Sequence, residues 1–475
     1  MQVDIMLIGI MKLLDRRPEL ARLQALATRG GLAVVYGRRR IGKTRLLVEW
    51  VERSQGAYFV ADESSAALQR RYLARALALR LEGFAAVDSP DWASLLERLA
   101  RQASAAGFRG PIVLDEFPYL ASESKELPSV LQRWIDHEAK DARLSVALAG
   151  SSQRMMQGLV LDRNAPLYGR ASEVMRLGPL DPEELKHAFD GWSPAACARA
   201  FAAFGGVPRY WELAAQARGS LEQRIDHLAL DPLGPLHREP DLLLMEEMPS
   251  AMEVRPLLDA IGSGAHRVSE IAGRMGRPAT SLSRPLDRLV ELGLATRELP
   301  FAAPPRSRRS LYRIADPFFR LWFRVVAPNR GALAVASTAG RRRVLRAHWP
   351  ALAAAGWEQL CRERTPRVGR RTRLGRLGPW GPAQRFWQGS APEWDVVAEH
   401  AEDGSLLLGE AKWSAGAFDS RQIDRLVSEL RARPLPELPK RYRERAVRRV
   451  LFVPEVAQRV RSRAVTVITA GDLLD

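Results

Sequence analysis

Apolar runs alternate with helical patterns over the N-terminal part of the chain. Short apolar runs at residues 32–37, 57–61, 111–116 and 144–151 are typical of buried strands, and the segments between them carry apolar residues at helical spacing. Such alternation indicates a parallel sheet covered by helices on both faces. The pattern therefore predicts an α/β core over residues 11–180.

Three further regions follow this core. Residues 181–250 are mostly helical in pattern and are interrupted by a Gly-Gly-Val-Pro-Arg-Tyr segment at 205–210. Residues 251–322 contain short amphipathic helices and then a loop rich in Pro and Arg, whereas residues 323–475 combine helix with a hairpin and several Arg clusters. A chain of 475 residues is too long for one hydrophobic core, so its length agrees with several domains.

Composition and charge narrow the class of protein. An apolar fraction of 46% and a charged fraction of 27% are ordinary for a soluble protein. Cys197 and Cys361 lie far apart and fit no zinc or disulfide pattern, which favours a reducing compartment. The formal net charge of +17 favours an anionic partner such as nucleic acid. Nearly all of this positive charge is Arg, however, so the codon usage of a GC-rich genome explains the excess equally well.

The start of the chain and its apolar segments bear on localisation. The first residues are apolar, but they contain Asp4 and lack a basic leader and a small-residue cleavage site, so no signal peptide is expected. Met11 is an alternative start to Met1. No segment of the sequence is long and apolar enough to span a bilayer, which predicts a cytoplasmic protein without a membrane partner.

A phosphate-binding motif occupies residues 37–44, between a predicted strand and a predicted helix. The motif G-x-x-x-x-G-K-[ST] requires this context, and it is matched here by Gly37, Arg38, Arg39, Arg40, Ile41, Gly42, Lys43 and Thr44. Backbone N–H groups of the loop and of the helix start, where Arg45 follows, are expected to hold the phosphates of ATP. Lys43 is expected to contact the β- and γ-phosphates, and Thr44 to bind Mg²⁺.

Polar side chains also follow two of the other predicted strands. Asp115 and Glu116 end an apolar run in a Walker B pattern, so Asp115 is expected to hold Mg²⁺ through water and Glu116 to polarise the attacking water. Ser151 follows another run, at the sheet edge where ligands bind. Ser151 or Ser152 is a candidate sensor of the γ-phosphate, and capping of the next helix is the alternative.

Short amphipathic helices are predicted on both sides of Gly276. Apolar positions repeat at helical spacing through residues 271–292, and a Pro/Arg-rich loop then leads to a strand-like run at 311–314. This order predicts a helix-turn-helix with a wing, which either contacts DNA phosphates or serves for protein contacts or as a hinge. The candidate DNA-contacting residues are Ser281, Ser283, Arg284, Arg288, Arg306, Arg308 and Arg309.

A hairpin in the C-terminal region carries carboxylates and a lysine. Strand-like runs flank Glu402-Asp403-Gly404, which places Asp395 near Glu410 and Lys412 across the ladder. Two carboxylates suit Mg²⁺, and a lysine suits the charge that develops on a phosphate. Glu358 on the preceding helix is a candidate third acid, and arginines between residues 362 and 376 are placed to track a nucleic-acid backbone. The alternative for Glu410 and Lys412 is a solvated ion pair.

In their order along the chain, these motifs resemble the archaeal-type ATPases of the AAA+/STAND group. Residues 14–20 resemble the N-terminal box of that family at Asp15, Arg16, Glu19 and Leu20, but depart from it at Leu14 and Arg17. Residues 150–152 match the sensor position, and residues 205–210 match the Gly-Gly-x-Pro segment of the helical lid. Arg170 ends a segment similar to the conserved Gly-Arg, which implies either a γ-phosphate or finger arginine, or a surface arginine.

The resemblance implies a domain organisation for the whole chain. It places an AAA+-like P-loop ATPase core at 11–180, a helical lid at 181–250, a winged helix at 251–322 and a C-terminal α/β domain at 323–475. The C-terminal domain resembles the PD-(D/E)xK or restriction-endonuclease-like fold, through the order of Glu358, Asp395, Glu410 and Lys412. In such a site the three acids would hold Mg²⁺, and cleavage is either retained or lost.

Two classes of function agree with these features. The first is an ATPase that uses Mg²⁺, acts on DNA or is regulated by it, and has a possible C-terminal nuclease activity. The second is a STAND-like switch that binds ATP, acts through protein contacts and carries an inactive nuclease-like domain. A small-molecule kinase would leave the helix-turn-helix and the hairpin acids without a role. The expected partners are ATP and nucleic acid, with DNA favoured over RNA. The sequence leaves open whether the chain forms a homo-oligomer.

Overall fold

A computed structural model describes residues 14–247, 251–307, 309–389, 391–442, 444–458 and 464–475. Among these residues, no helix has the length and apolar character needed to cross a membrane. The alternative start at Met11 and the predicted wing residue Arg308 lie outside the described residues. The chain divides into two compact units, which are described separately: a first unit of residues 14–180 with Val207–Arg209, and a second unit of residues 181–206 with those from 210 onward.

A five-stranded parallel sheet forms the centre of the first unit. Its spatial order is β2-β3-β4-β1-β5, and its strands are β1 (Gly31–Tyr36), β2 (Ala57–Val60), β3 (Ile112–Asp115), β4 (Ser145–Gly150) and β5 (Ala171–Arg176). The first four strands are the predicted apolar runs, so the predicted α/β fold with a parallel sheet is confirmed. The sequence pattern missed β5, because this edge strand alternates buried and exposed residues and has no continuous apolar run.

Helices cover both faces of this sheet and enclose the core. They are α1 (Arg17–Arg29), α2 (Lys43–Arg53), α3 (Ala66–Ala78), α4 (Trp92–Ala106), α5 (Phe117–Glu123), α6 (Leu127–Asp136), α7 (Glu138–Asp141) and α8 (Gln153–Met156). Local sequence sets their ends, as α4 shows. Asp91 caps its first turn by accepting from Ser94 N at 2.8 Å, and Gly107 ends it in the left-handed conformation.

The second unit begins with helices and a two-stranded hairpin. Their bounds are α9 (Leu185–Ala188), α10 (Pro194–Phe204), α11 (Pro208–Gln216), α12 (Leu221–Ile225), α13 (Glu239–Glu247), α14 (Ala251–Gly262), α15 (Val268–Met275), α16 (Ser283–Glu291), β6 (Ala295–Glu298) and β7 (Leu311–Ile314). Gly276 takes a left-handed conformation between α15 and α16, and β6 pairs antiparallel with β7. These elements follow one another along the chain as two helices and a hairpin, and the winged helix stays a prediction.

A mixed five-stranded sheet follows, in the order β12-β11-β10-β9-β8. Its elements and the helices around it are α17 (Pro317–Leu321), α18 (Ala327–Val335), α19 (Thr338–Arg364), β8 (Gln384–Phe386), β9 (Trp394–Glu399), β10 (Leu406–Ala411), α20 (Ser420–Ala432), β11 (Val447–Phe452), β12 (Thr466–Ile468) and α21 (Ala470–Leu474). β9 and β10 form the predicted antiparallel hairpin, whereas β10, β11 and β12 run parallel. Buried Trp357 ties α19 to this sheet by donating to Phe452 O at 3.3 Å. The boundaries predicted at residues 250 and 322 stay predictions.

Candidate functional site

The phosphate-binding motif forms the turn between β1 and α2. Gly37 has a φ of +153°, and a Cβ there would lie 2.6 Å from the Leu177 carbonyl oxygen. Gly42 is left-handed with a φ of +93°, and α2 begins at the next residue. Glycine is therefore required at both positions, and the first N–H groups of α2 face the turn as an anion site requires.

Lys43 joins this turn to the end of β4. Its buried ammonium group donates to Gly37 O at 2.9 Å and to Ser151 Oγ at 3.0 Å. Within the loop, Arg38 and Ile41 are buried, whereas Arg39 is exposed and Arg40 has a φ of +67°. Arg45 is half-buried on the first turn of α2. The predicted cofactor-binding residues are thus close together, and their contacts with ATP stay predictions.

The Walker B carboxylate lies beside the hydroxyl group of Thr44. Asp115 Oδ2 accepts from Thr44 Oγ1 at 3.0 Å and from Tyr58 Oη at 2.5 Å, while Oδ1 accepts from Glu116 N at 2.9 Å. Burial raises the pKa of Asp115. Burial and then the charge of Asp115 also raise the pKa of Tyr58 far above its usual value, so the Tyr58 hydroxyl stays the donor. A hydroxyl and a carboxylate side by side are hard oxygen donors, which fit Mg²⁺.

Ser151 lies between the lysine and the second Walker B acid. Its hydroxyl group bonds Glu116 Oε1, and its backbone N donates to Glu116 Oε2 at 3.1 Å. Glu116 itself takes a left-handed conformation with a φ of +52°. The alternative role, capping of α8, falls to Ser152, whose Oγ accepts from Met155 N at 3.4 Å. The structure thus brings Lys43, Glu116 and Ser151 together.

Arg16 contributes to this site in a way that the sequence did not indicate. Its buried guanidinium group donates to the carbonyl oxygen of Ile41 at 3.2 Å and to that of Gly178 at 2.6 Å. It also pairs with Glu19 at 3.2 Å. Arg16 of the N-terminal box thus stabilises the phosphate-binding loop through the carbonyl oxygen of Ile41. The contacts of Arg16 join residues far apart in sequence, so only the fold reveals them.

Arg170 lies in a turn that leads into β5. It pairs with Asp136 at 3.0 Å and donates to the carbonyl oxygens of Pro166 and Tyr168 at 3.0 and 3.3 Å. These contacts hold the guanidinium group at the end of α6. A role for Arg170 at the γ-phosphate stays a prediction.

The acids of the C-terminal hairpin lie together but are strongly paired. Asp395 Oδ2 accepts from Ala411 N at 3.0 Å. Burial, followed by the charges of Glu358 and Glu410, raises the pKa of Asp395 to about 7. Glu410 pairs with Lys412 at 2.6 Å and with Arg433 at 2.5 Å. Burial opposes ionisation of Glu410, but these two partners lower its pKa.

The predicted metal site of Glu358, Asp395 and Glu410 stays a prediction. Within the described ranges, no group of three or more His, Cys, Asp or Glu side chains is arranged to hold a metal ion. Basic side chains pair with two of these acids. Glu358 lies 3.7 Å from Arg362 and 4.0 Å from Arg385, and Glu410 is bound by Lys412 and Arg433.

Comparisons with known proteins identify two segments of the chain. Residues 13–208 match the model of an ATPase domain found predominantly in Archaea, and residues 322–425 match that of archaeal and bacterial proteins of unknown function. The uncharacterised protein MJECL04 of Methanocaldococcus jannaschii is 30% identical over 303 residues, which are 63% of this chain and 65% of that protein. The match therefore spans slightly less than two thirds of this relative.

Solved structures show a likeness in fold. The Walker-type ATPase PABY2304 of Pyrococcus abyssi matches with a TM-score of 0.52 and 18% identity, over 66% of this chain and 96% of that one. The ORC2 protein of Aeropyrum pernix matches with a TM-score of 0.46 and 17% identity, over 72% of this chain and 97% of that one. Residues 13–208 therefore resemble an archaeal-type ATPase domain with a P-loop fold, and residues 322–425 resemble a domain of archaeal and bacterial proteins of unknown function.

Proposed function

We propose that this protein binds Mg-ATP at residues 37–44, hydrolyses it, and acts on DNA or is regulated by it. One observation carries the first part. The side chains of Lys43, Thr44, Asp115, Glu116 and Ser151 converge at one edge of the parallel sheet, within the matched ATPase domain. This is the edge at which ligands bind in open α/β sheets.

Each of these residues has a defined task in the proposed reaction. Lys43 and the N–H groups of the loop bind the phosphates, and Thr44 and Asp115 would hold Mg²⁺. When bound, Mg²⁺ neutralises charge on the β- and γ-phosphate oxygens. Glu116 orients the attacking water, but both of its carboxylate oxygens are engaged by Ser151. Hydrolysis therefore requires Ser151 to release Glu116. Because Ser151 is also the candidate sensor of the γ-phosphate, this release would make the activity of Glu116 depend on the presence of the γ-phosphate.

The variant Glu116→Gln is expected to bind ATP normally but to hydrolyse it about 10²–10⁴-fold more slowly, because glutamine keeps the size of the side chain but cannot accept a proton. Single-turnover hydrolysis and calorimetry would measure the two quantities separately. Glu123→Gln, at an exposed acid on α5, is the matched control and should behave as wild type. Hydrolysis by Glu116→Gln at the wild-type rate would contradict the role of Glu116.

The proposed DNA contact rests on residues 251–314. The order α14, α15, α16, β6 and β7 is that of a winged helix, in which α16 is the recognition helix. Arg284 is exposed on α16, and Arg306 and Arg309 are exposed in the loop after β6. The base of this loop is fixed, because Phe301 is buried and its backbone N donates to Arg385 O at 2.7 Å. DNA would therefore meet α16 and the tip of the loop.

Duplex DNA is expected to stimulate ATP hydrolysis and to bind with an affinity that falls steeply as salt is added, because phosphate contacts release counterions. Arg284→Ala should reduce the slope of log affinity against log salt by about 1. Arg101→Ala removes an exposed arginine from α4 in the first unit and should leave the slope unchanged. Fluorescence anisotropy over a salt series would measure both. No binding at low salt would favour the second candidate, a switch that acts through protein contacts.

The C-terminal region supports a further part of the proposal, a metal-dependent nuclease. The mixed sheet carries Asp395 and Glu410 on adjacent strands and Lys412 directly after β10. The basic partners of Glu358 and Glu410 favour the inactive form of this domain unless nucleic acid draws those arginines away.

A further inference from the structure

Tyr58 reaches the Walker B carboxylate from the edge strand of the first sheet. Tyr58 on β2 lies beside Val113 on β3, and Val60 lies beside Asp115. Side chains two residues apart on a strand project from the same face, so Tyr58 and Asp115 share a face. Tyr58 and Asp115 are therefore diagonal neighbours on adjacent strands. The tyrosine side chain is long enough to reach Asp115, and its hydroxyl group donates to Asp115 Oδ2 at 2.5 Å.

The Asp115 carboxylate is thus held by three donors. Thr44 on α2 and Tyr58 on β2 bind Oδ2, and the backbone N of Glu116 binds Oδ1. The terminal torsion of an aspartate is broad, so the backbone does not fix the plane of its carboxylate. Removal of one donor therefore leaves a buried carboxylate that can turn away from Thr44. Of the two side-chain donors, Thr44 also has a task at the metal, whereas the tyrosine hydroxyl has no other task in the proposed site.

We propose that Tyr58 is a positioning residue for the magnesium site: its hydroxyl group holds Asp115 in the orientation that presents an oxygen beside Thr44. The inference rests on the proposed function, in which Thr44 and Asp115 hold the Mg²⁺ of Mg-ATP. Tyr58 contacts the aspartate and acts through it. Hydrogen-bond partners of metal ligands commonly change metal affinity by about 10–100-fold, which makes the effect measurable.

The test compares Tyr58→Phe with wild type in the full-length protein. Calorimetry would give the affinity for ATP in EDTA and in excess Mg²⁺, and electron paramagnetic resonance would give the affinity for Mn²⁺ in the presence of ATP. Tyr58→Phe is expected to keep the affinity for metal-free ATP and to need about tenfold more metal for the same occupancy. Tyr72→Phe, which removes a hydroxyl group from a half-buried tyrosine packed on the same core, should match wild type.

A double-mutant cycle separates positioning from packing. In an Asp115→Asn background, Tyr58→Phe should change metal affinity much less, because the proposed role of the hydroxyl group depends on the carboxylate. The inference would be overturned if Tyr58→Phe bound metal as wild type does, or if metal-free ATP affinity and thermal stability fell together with metal affinity. The proposed ATP site would survive both results. By contrast, a wild-type protein whose ATP binding is insensitive to metal would remove the proposed site and this inference together.

Discussion

Replacement of Lys43 by alanine is expected to abolish ATP binding. The Lys43 ammonium group is buried, and it donates to Gly37 O at 2.9 Å and to Ser151 Oγ at 3.0 Å. In Lys43→Ala the phosphates would lose a charge-assisted contact in a site largely shielded from water, where such contacts contribute about 1.5–3 kcal/mol each. Calorimetry with ATP and Mg²⁺ should show an affinity at least about 100-fold weaker, which corresponds to about 3 kcal/mol.

Lys140→Ala is the matched control for this measurement. Lys140 is exposed on α7 in the same unit, so its replacement removes the same charge away from the proposed site. ATP affinity should not change in this variant, and thermal unfolding would show whether Lys43→Ala keeps the fold. Wild-type affinity in a folded Lys43→Ala protein would show that the phosphates are not bound at residues 37–44.

The first sheet was largely predictable because its central strands are buried on both faces. Such strands are continuous apolar runs, and β1, β3 and β4 have this character. β5 escaped prediction because it pairs at the sheet edge, where alternate side chains of residues 171–176 are exposed. The position of such an edge strand depends on pairing with a neighbouring strand, and the local sequence pattern does not reveal that pairing.

The residues of the nucleotide site also include some that the sequence predicted and some that it did not. Residues 37–44 and the acids after β3 were found because their chemistry is local: a turn with fixed glycines, and carboxylates at a strand end. The contacts of Arg16 and Tyr58 were not predicted, because they depend on how α1 and β2 are placed against distant segments. A tyrosine within an apolar strand gives no signal of its own, since its hydroxyl group acquires a role only when β2 pairs with β3.

In the C-terminal region, the sequence predicted the position of the acids but not their partners. The turn at residues 402–404 set the hairpin register, so the nearness of Asp395 and Glu410 followed from the strand pattern. Arg433 comes from the end of α20 and Arg385 from β8, and tertiary structure alone brings them to Glu410 and Glu358. Metal binding at this site therefore requires these ion pairs to open.

Glu298 connects the hairpin of β6 and β7 to the same charged cluster. It lies 3.8 Å from Arg385 and 3.9 Å from Arg362, and the latter donates to Asp395 O at 3.2 Å. Both arginines also face Glu358. The acids of the proposed nuclease site are thus neutralised by arginines that Glu298 helps to hold. If nucleic acid binds here, its phosphates compete for these arginines and release the carboxylates for metal.

Metal-dependent cutting of nucleic acid is expected to vanish in Asp395→Ala and in Glu410→Ala, because each change removes one of the two carboxylates on the adjacent strands β9 and β10. Purified protein would be incubated with ATP, Mn²⁺ or Mg²⁺ and several nucleic acids, and both cleavage and ATP hydrolysis would be followed. Hydrolysis should persist in both variants. Glu410→Ala should also lower thermal stability, because it leaves the half-buried Arg433 without its carboxylate partner.

Asp403→Ala provides the control for this experiment. Asp403 is an exposed acid in the turn of the same hairpin, and its ion pair with Arg448 at 3.2 Å is also exposed to solvent. Its loss should leave both cleavage and stability near wild type, because solvent screens surface ion pairs. Cleavage that survives both Asp395→Ala and Glu410→Ala would refute the nuclease assignment. A wild-type protein that hydrolyses ATP but cuts no nucleic acid would favour the switch, with Arg433 and Lys412 as the permanent partners of Glu410.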